Sequence, residues 1–346
     1  MGSVGKKILF FMPFIIAVCS GVSLADTDSY NKCMLEEMKK ADGSASIESI
    51  RSKCSVYLDS PAKVQEEAKK AEEDKTSVID KRLEKESTTM ESAFVLTPYR
   101  PNYVMPYTYN PSKNAAPFGL EDDDVKDEEI KFQISVKYLL FDKIFKDNGD
   151  LYVGYTNQSY WQAYNSAASN PFRETNHEPE TWLQFKTDYD IAGIKLGIVS
   201  VGLNHQSNGR GMANYNGSNM PAISRSWNRV FMNFVFEKGN WVMALKPWYR
   251  VPEEDEDDNN PSIEKYVGYG ELKTGYKWKD HVFTMMLRNN LRESGNMGAV
   301  ELGWSFPLYK KLRGYVQHYN GYCESLVDYD ASSNRFGVGI MLSDAL

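Results

Sequence analysis

His205 and Ser207 stand two apart in Asn204-His205-Gln206-Ser207-Asn208-Gly209-Arg210, and Asn228 follows in Ser224-Arg225-Ser226-Trp227-Asn228-Arg229. An imidazole, a hydroxyl and a carboxamide are the parts of an acyl-transfer site. A serine hydroxyl is a weak nucleophile until a base takes its proton, and that base must be held in orientation by a third group. A histidine and a serine two apart recur by chance in many chains, so the spacing alone assigns nothing.

The elements that carry these residues add more. Val199, Val201, Leu203, His205 and Ser207 share one parity, and Ser200, Gly202, Asn204 and Gln206 share the other. That alternation predicts a β-strand with His205 and Ser207 on its apolar face. In the next strand Asn228, Val230, Met232, Phe234 and Phe236 form the apolar face, with Trp227, Arg229 and Asn233 opposite. In a soluble enzyme this would put three polar groups in a core. In a membrane barrel the apolar face is the outside, where a lipid substrate lies.

Composition agrees with a barrel. The 346-residue chain carries a net charge of -7, 22 Tyr and 7 Trp. The acidic balance gives no reason to expect a nucleic-acid partner. Past the N-terminus no apolar run reaches the roughly 18 residues of a transmembrane helix, whereas barrels hide their hydrophobicity in alternation and carry aromatic girdles. Residues 1–25 place Lys6 and Lys7 before an apolar run and end in Ser23-Leu24-Ala25, the pattern of a secretory signal peptide. Export implies an oxidising compartment, so Cys33 and Cys54 are candidates for a disulfide, two free thiols being the alternative. Residues 26–97 are charged with both signs interspersed and are expected to form a helical or partly disordered periplasmic extension. A domain boundary is placed near residues 94–99.

From residue 98 to 346 aromatic, β-branched and Gly-punctuated segments follow one another. They read as about a dozen strands, an even number in the range of closed outer-membrane barrels. Leu196 and Ile198 sit on the wrong parity for the His205 strand, which calls for a bulge. Tight turns at Lys238-Gly239-Asn240 and Lys279-Asp280 alternate with long loops at 208–223 and 252–264. Short periplasmic turns and long outer loops produce that alternation and put His205 and Ser207 near the outer rim. Trp161, Trp182, Trp241 and Trp248 read as interface anchors. His177, His281 and His318 read as ordinary strand or loop residues, and Glu301 and Lys273 as part of a polar lumen.

With the two motifs above, Lys246-Pro247-Trp248-Tyr249, Pro171-Phe172-Arg173-Glu174-Thr175-Asn176 and Gly321-Tyr322-Cys323-Glu324-Ser325-Leu326, the chain resembles the outer membrane phospholipase A family over residues 98–346. The resemblance implies a twelve-stranded antiparallel transmembrane β-barrel in the bacterial outer membrane. It implies calcium-dependent hydrolysis of phospholipid acyl esters at both positions, and activity as a homodimer. Ser207 matches the nucleophile, His205 the base, Asn228 the orienting group and the Gly209 N–H an oxyanion donor. The calcium positions match the Arg210 carbonyl, Ser224 and Ser169 of the partner subunit, with Asp258 in a monomer form. The competing expectation is a non-catalytic porin-like or structural barrel, which leaves three polar residues on a lipid face unexplained.

Overall fold

The computed structural model describes residues 25–40, 46–54, 77–90, 95–118, 120–210, 223–310 and 312–343. The chain divides into two compact units, residues 1–75 and 76–346. In the first, helices α1 (Ala25–Lys40) and α2 (Ile47–Cys54) are joined by the Cys33–Cys54 disulfide and by a Lys53–Glu37 ion pair at 3.4 Å. The signal-peptide segment before Ala25 lies outside the described residues.

The second unit begins with helix α3 (Val78–Met90), so the boundary expected near residues 94–99 falls inside this unit. Twelve antiparallel strands follow: β1 (Asn102–Tyr109), β2 (Glu128–Phe141), β3 (Asp150–Trp161), β4 (Phe172–Ile191), β5 (Ile194–Ser207) and β6 (Ser226–Lys238), then β7 (Trp241–Arg250), β8 (Gly270–Trp278), β9 (His281–Asn289), β10 (Gly298–Tyr309), β11 (Leu312–Tyr322) and β12 (Ser332–Ser343). Each pairs with the next, and β12 pairs with β1, which closes the barrel. Closure leaves no strand edge unpaired, as hydrocarbon requires. A two-residue strand, Thr97–Pro98, adds to β2. Tyr266 falls in a short helix, α4 (Ile263–Val267).

The connections alternate as expected. One end holds tight turns such as Ala192-Gly193, where both residues have positive φ, and the other holds the long loops. The parity break at Leu196 and Ile198 is a register shift in the β5–β6 pairing.

Alternation sorts the side chains into two environments. Val201, Leu203, Val230, Met232, Val300 and Leu302 are exposed on the outside, the face that meets lipid, while Ser200, Asn204 and Ser305 are buried inside. Ion pairs cross the lumen. Arg100 forks onto Glu178 at 2.6 and 3.1 Å and also pairs with Glu180, which Lys246 reaches at 2.7 Å. Nearer the long-loop end, Glu324 meets Lys131 and Arg335, each at 3.0 Å, and Glu129 meets Arg173 at 2.7 Å and Arg335 at 2.8 Å. Buried charges persist only when paired in this way. Trp182 and Trp248 belong to this interior rather than to an interface: Trp182 stacks on Tyr99 and Tyr152, and Trp248 packs edge-on against Trp227. Trp241 is exposed and packs on Tyr276, and Trp161 stacks on Phe172. At the short-turn end α3 contributes Val78, Ile79, Arg82, Leu83 and Glu86 to the lining of a lumenal cavity of about 430 Å³, which Lys273 and Glu301 also line.

Candidate active site

The β5–β6 register sets His205 directly opposite Asn228 and Ser207 opposite Ser226. Their neighbours of the other parity, Gln206, Trp227 and Arg229, point inward: the Trp227 indole N–H donates to Gln206 at 2.9 Å, and the Arg229 guanidinium lies 4.0 Å from the Trp227 ring. Packing of the inner face thus fixes the register, and with it the three polar groups on the outer wall. All three are partly exposed.

His205 Nδ1 and Asn228 Oδ1 are 2.8 Å apart. A carboxamide oxygen can only accept, so in the neutral imidazole this contact puts the proton on Nδ1 and leaves Nε2 a free lone pair, the arrangement a general base needs. The Asn228 Nδ2 donates to Glu253 Oε1 at 3.1 Å. Among the described residues no hydrogen bond joins the Ser207 hydroxyl to the imidazole. Such catalytic bonds commonly tighten only when substrate binds.

Gly209 follows the nucleophile position at φ +62, a left-handed conformation natural to glycine. Asn208 holds the local backbone: its side chain accepts from the Arg225 N–H at 3.0 Å and donates to the Ile223 carbonyl at 2.7 Å, tying together the two ends of the long loop. Residues 211–222 of that loop lie outside the described residues. Arg210 reaches back to the Phe172 and Arg173 carbonyls at 2.9 and 2.8 Å.

The expected calcium positions separate. No hydrogen bond to the Arg210 carbonyl or the Ser224 hydroxyl is formed among the described residues, which leaves two oxygens of the kind calcium takes. Ser169 sits in the β3–β4 loop at φ 61. Asp258 is engaged elsewhere: its Oδ1 accepts from Arg250 at 2.6 Å and from the Asn260 N–H at 3.1 Å, and the guanidinium beside it opposes a second cation. Among the described residues no cluster of three His, Cys, Asp or Glu could hold a metal.

One residue read as ordinary is close to the site. His177 is the register partner of Ser207 on the β4 side, and its Nδ1 lies 2.6 Å from the Tyr155 hydroxyl. A Cβ added at Gly209 would lie 3.4 Å from its Nε2. The signal was available only through pairing, because nothing local to His177 marks it.

A family model described as Phospholipase A1 matches residues 79–342. A protein named Phospholipase A1 from Escherichia coli K12 is 41% identical over 256 residues, which cover 73% of this chain and 83% of the relative. One of the same name from Klebsiella pneumoniae is 40% identical, over 73% and 84%. Among solved structures, outer membrane phospholipase A from Escherichia coli shares 41% identity at a TM-score of 0.66, covering 74% of this chain and 95% of that one. The Salmonella typhi outer membrane phospholipase, a dimer with bound calcium, shares 39% at 0.67, covering 75% and 97%.

Proposed function

The chain belongs to the phospholipase A1 family, and we propose that Ser207, His205 and Asn228 hydrolyse phospholipid acyl esters at the lipid-facing wall of this outer-membrane barrel. The observation that carries this reading is the 2.8 Å pairing of His205 Nδ1 with Asn228 on the outer face.

In this reading Ser207 Oγ attacks the acyl carbonyl carbon while His205 Nε2 takes its proton. The Gly209 N–H receives the developing oxyanion, where a preorganised donor is worth most. Collapse breaks the ester C–O bond, and the imidazolium returns its proton to the departing lysophospholipid alcohol. Water, activated by the same imidazole, then cleaves the acyl-serine. Asn228 keeps the imidazole in the useful tautomer without placing another carboxylate against hydrocarbon. The Arg210 carbonyl, Ser224 and Ser169 of the partner subunit would hold a calcium ion that adds positive charge beside the oxyanion, which makes the homodimer the active form. The calcium-bound dimer of the Salmonella typhi relative supports this assembly. Asp258, held by Arg250, is left out of the ligand set.

The channel reading is weaker because it gives the His205–Asn228 pair on the outer wall no role. The test is phospholipid hydrolysis by purified protein in mixed micelles, with calcium or with chelator. Wild type with calcium is expected to be active and Ser207→Ala inactive yet folded, as seen by heat-modifiable mobility. Undiminished hydrolysis by Ser207→Ala would remove the nucleophile assignment.

A further inference from the structure

We propose that Glu253 is a positioning residue of the same site, acting on His205 through Asn228; the proposal rests on the triad reading above. A carboxamide can present either its oxygen or its nitrogen to an imidazole. If Asn228 turned over, its Nδ2 would face the Nδ1–H of His205, donor against donor. Glu253 removes that alternative. An ionised carboxylate only accepts, so it can pair with Nδ2 and not with Oδ1. The observed 3.1 Å contact therefore selects the amide orientation that gives the 2.8 Å bond to His205.

The carboxylate also supplies what asparagine lacks. When Nε2 takes the serine proton the imidazole becomes cationic, and Asn228 has no charge to offer it. Glu253 places a negative charge one amide group further out, in the rim loop rather than on the lipid-facing wall. Charge-assisted hydrogen bonds are roughly twice as strong as neutral ones, and this one polarises the amide toward the ring.

The loop that carries Glu253 is anchored around the site. The Val251 N–H donates to the Asn228 carbonyl at 2.8 Å, Asn259 Oδ1 accepts from the Ser226 N–H at 2.8 Å, and Asp258 is held by Arg250 at 2.6 Å. Between these anchors Glu254, Asp255, Glu256 and Asp257 are exposed, while Glu253 is partly buried. Among the described residues, Glu253 is the member of this acidic run whose side chain bonds to the triad.

The test is steady-state kinetics on phospholipid micelles with saturating calcium. It compares wild type, Glu253→Ala, Glu253→Gln, Asn228→Ala and the Asn228→Ala/Glu253→Ala double variant. Heat-modifiable mobility monitors folding, and the labelling rate of Ser207 by a sulfonyl fluoride reports the nucleophile directly. Glu253→Ala is expected to lower kcat and the labelling rate about tenfold, the size of one charge-assisted hydrogen bond, with KM and calcium half-saturation unchanged. Glu253→Gln keeps the shape and an acceptor oxygen and is expected to recover part of the loss. The double variant is expected to be no slower than Asn228→Ala alone, since Glu253 has nothing to act through once the amide is gone.

Wild-type kcat in both Glu253 variants would overturn the proposal, as would losses that multiply in the double variant or a change confined to calcium half-saturation. If the alanine variant does not fold, a wild-type labelling rate in Glu253→Gln would overturn it equally. Activity retained by Ser207→Ala would instead sink the triad reading, so the two failures are distinguishable.

Discussion

His205, Ser207 and Asn228 meet on one face of the wall through a single backbone register. His205 faces Asn228 across the β5–β6 ladder, and Ser207 lies two residues further on the same face. Asn228→Ala should therefore leave the nucleophile intact and release the imidazole. A misplacement of about 1 Å can cost about 100-fold, so kcat is expected to fall toward that range while micelle binding holds, as steady-state kinetics can resolve. Gly209 offers a second check. At φ +62 a side chain costs about 1–2 kcal/mol of backbone strain. Gly209→Ala is expected to slow labelling of Ser207 by a sulfonyl fluoride and to leave the barrel folded. The shared face of His205, Ser207 and Asn228 was legible in the sequence because parity alone separates the two faces of a strand. The places of His177 and Glu253 were not, because each is set by a partner in another element.

At the scale of elements, alternation announced the strands, and turn lengths told the two ends of the barrel apart. The docking of one helix escaped it. Helix α3 lies in a charged stretch that reads as solvated, yet Ile79 is buried and its N–H donates to Glu237 at 3.2 Å, while Glu86 pairs with Lys137 at 2.8 Å and Arg82 at 3.0 Å. A lumen lined by charge lets a polar helix dock, so hydrophobic periodicity carries no signal. Burial pushes the Glu86 carboxyl up, and Lys137 with Arg82 more than offsets this, so its pKa lies below the ordinary value. A depressed carboxylate contributes stability above the unfolded-state pKa, about 4.3 for glutamate, and loses it as pH falls through the folded value. Docking of α3 should thus be unchanged between pH 7 and 5 and loosen only in stronger acid. Glu86→Gln should loosen it at neutral pH, with limited proteolysis near residue 76 as the measure.

For the molecule as a whole, the paired charges inside the wall are the principal liability. Glu324 is buried between Lys131 and Arg335. Glu324→Ala leaves two cations without that partner, and breaking a buried pair typically costs about 3–5 kcal/mol. Unfolding in urea, followed by heat-modifiable mobility, should show a loss of that order, whereas Glu324→Gln should lose less. The interior could not be read in detail beforehand. Trp182 and Trp248 carry the composition of an aromatic girdle but turn inward, and sequence alone does not say which side of a wide barrel a tryptophan fills. Because the reactive groups stand on the outer wall, the substrate in this reading does not enter the protein. A lipid arrives by lateral diffusion within its own leaflet, and the fatty acid and lysolipid depart into that same sheet. Water is the reactant that must travel, reaching the acyl-serine from the rim. Turnover would then respond to how tightly neighbouring lipids pack against the protein more than to any pore radius.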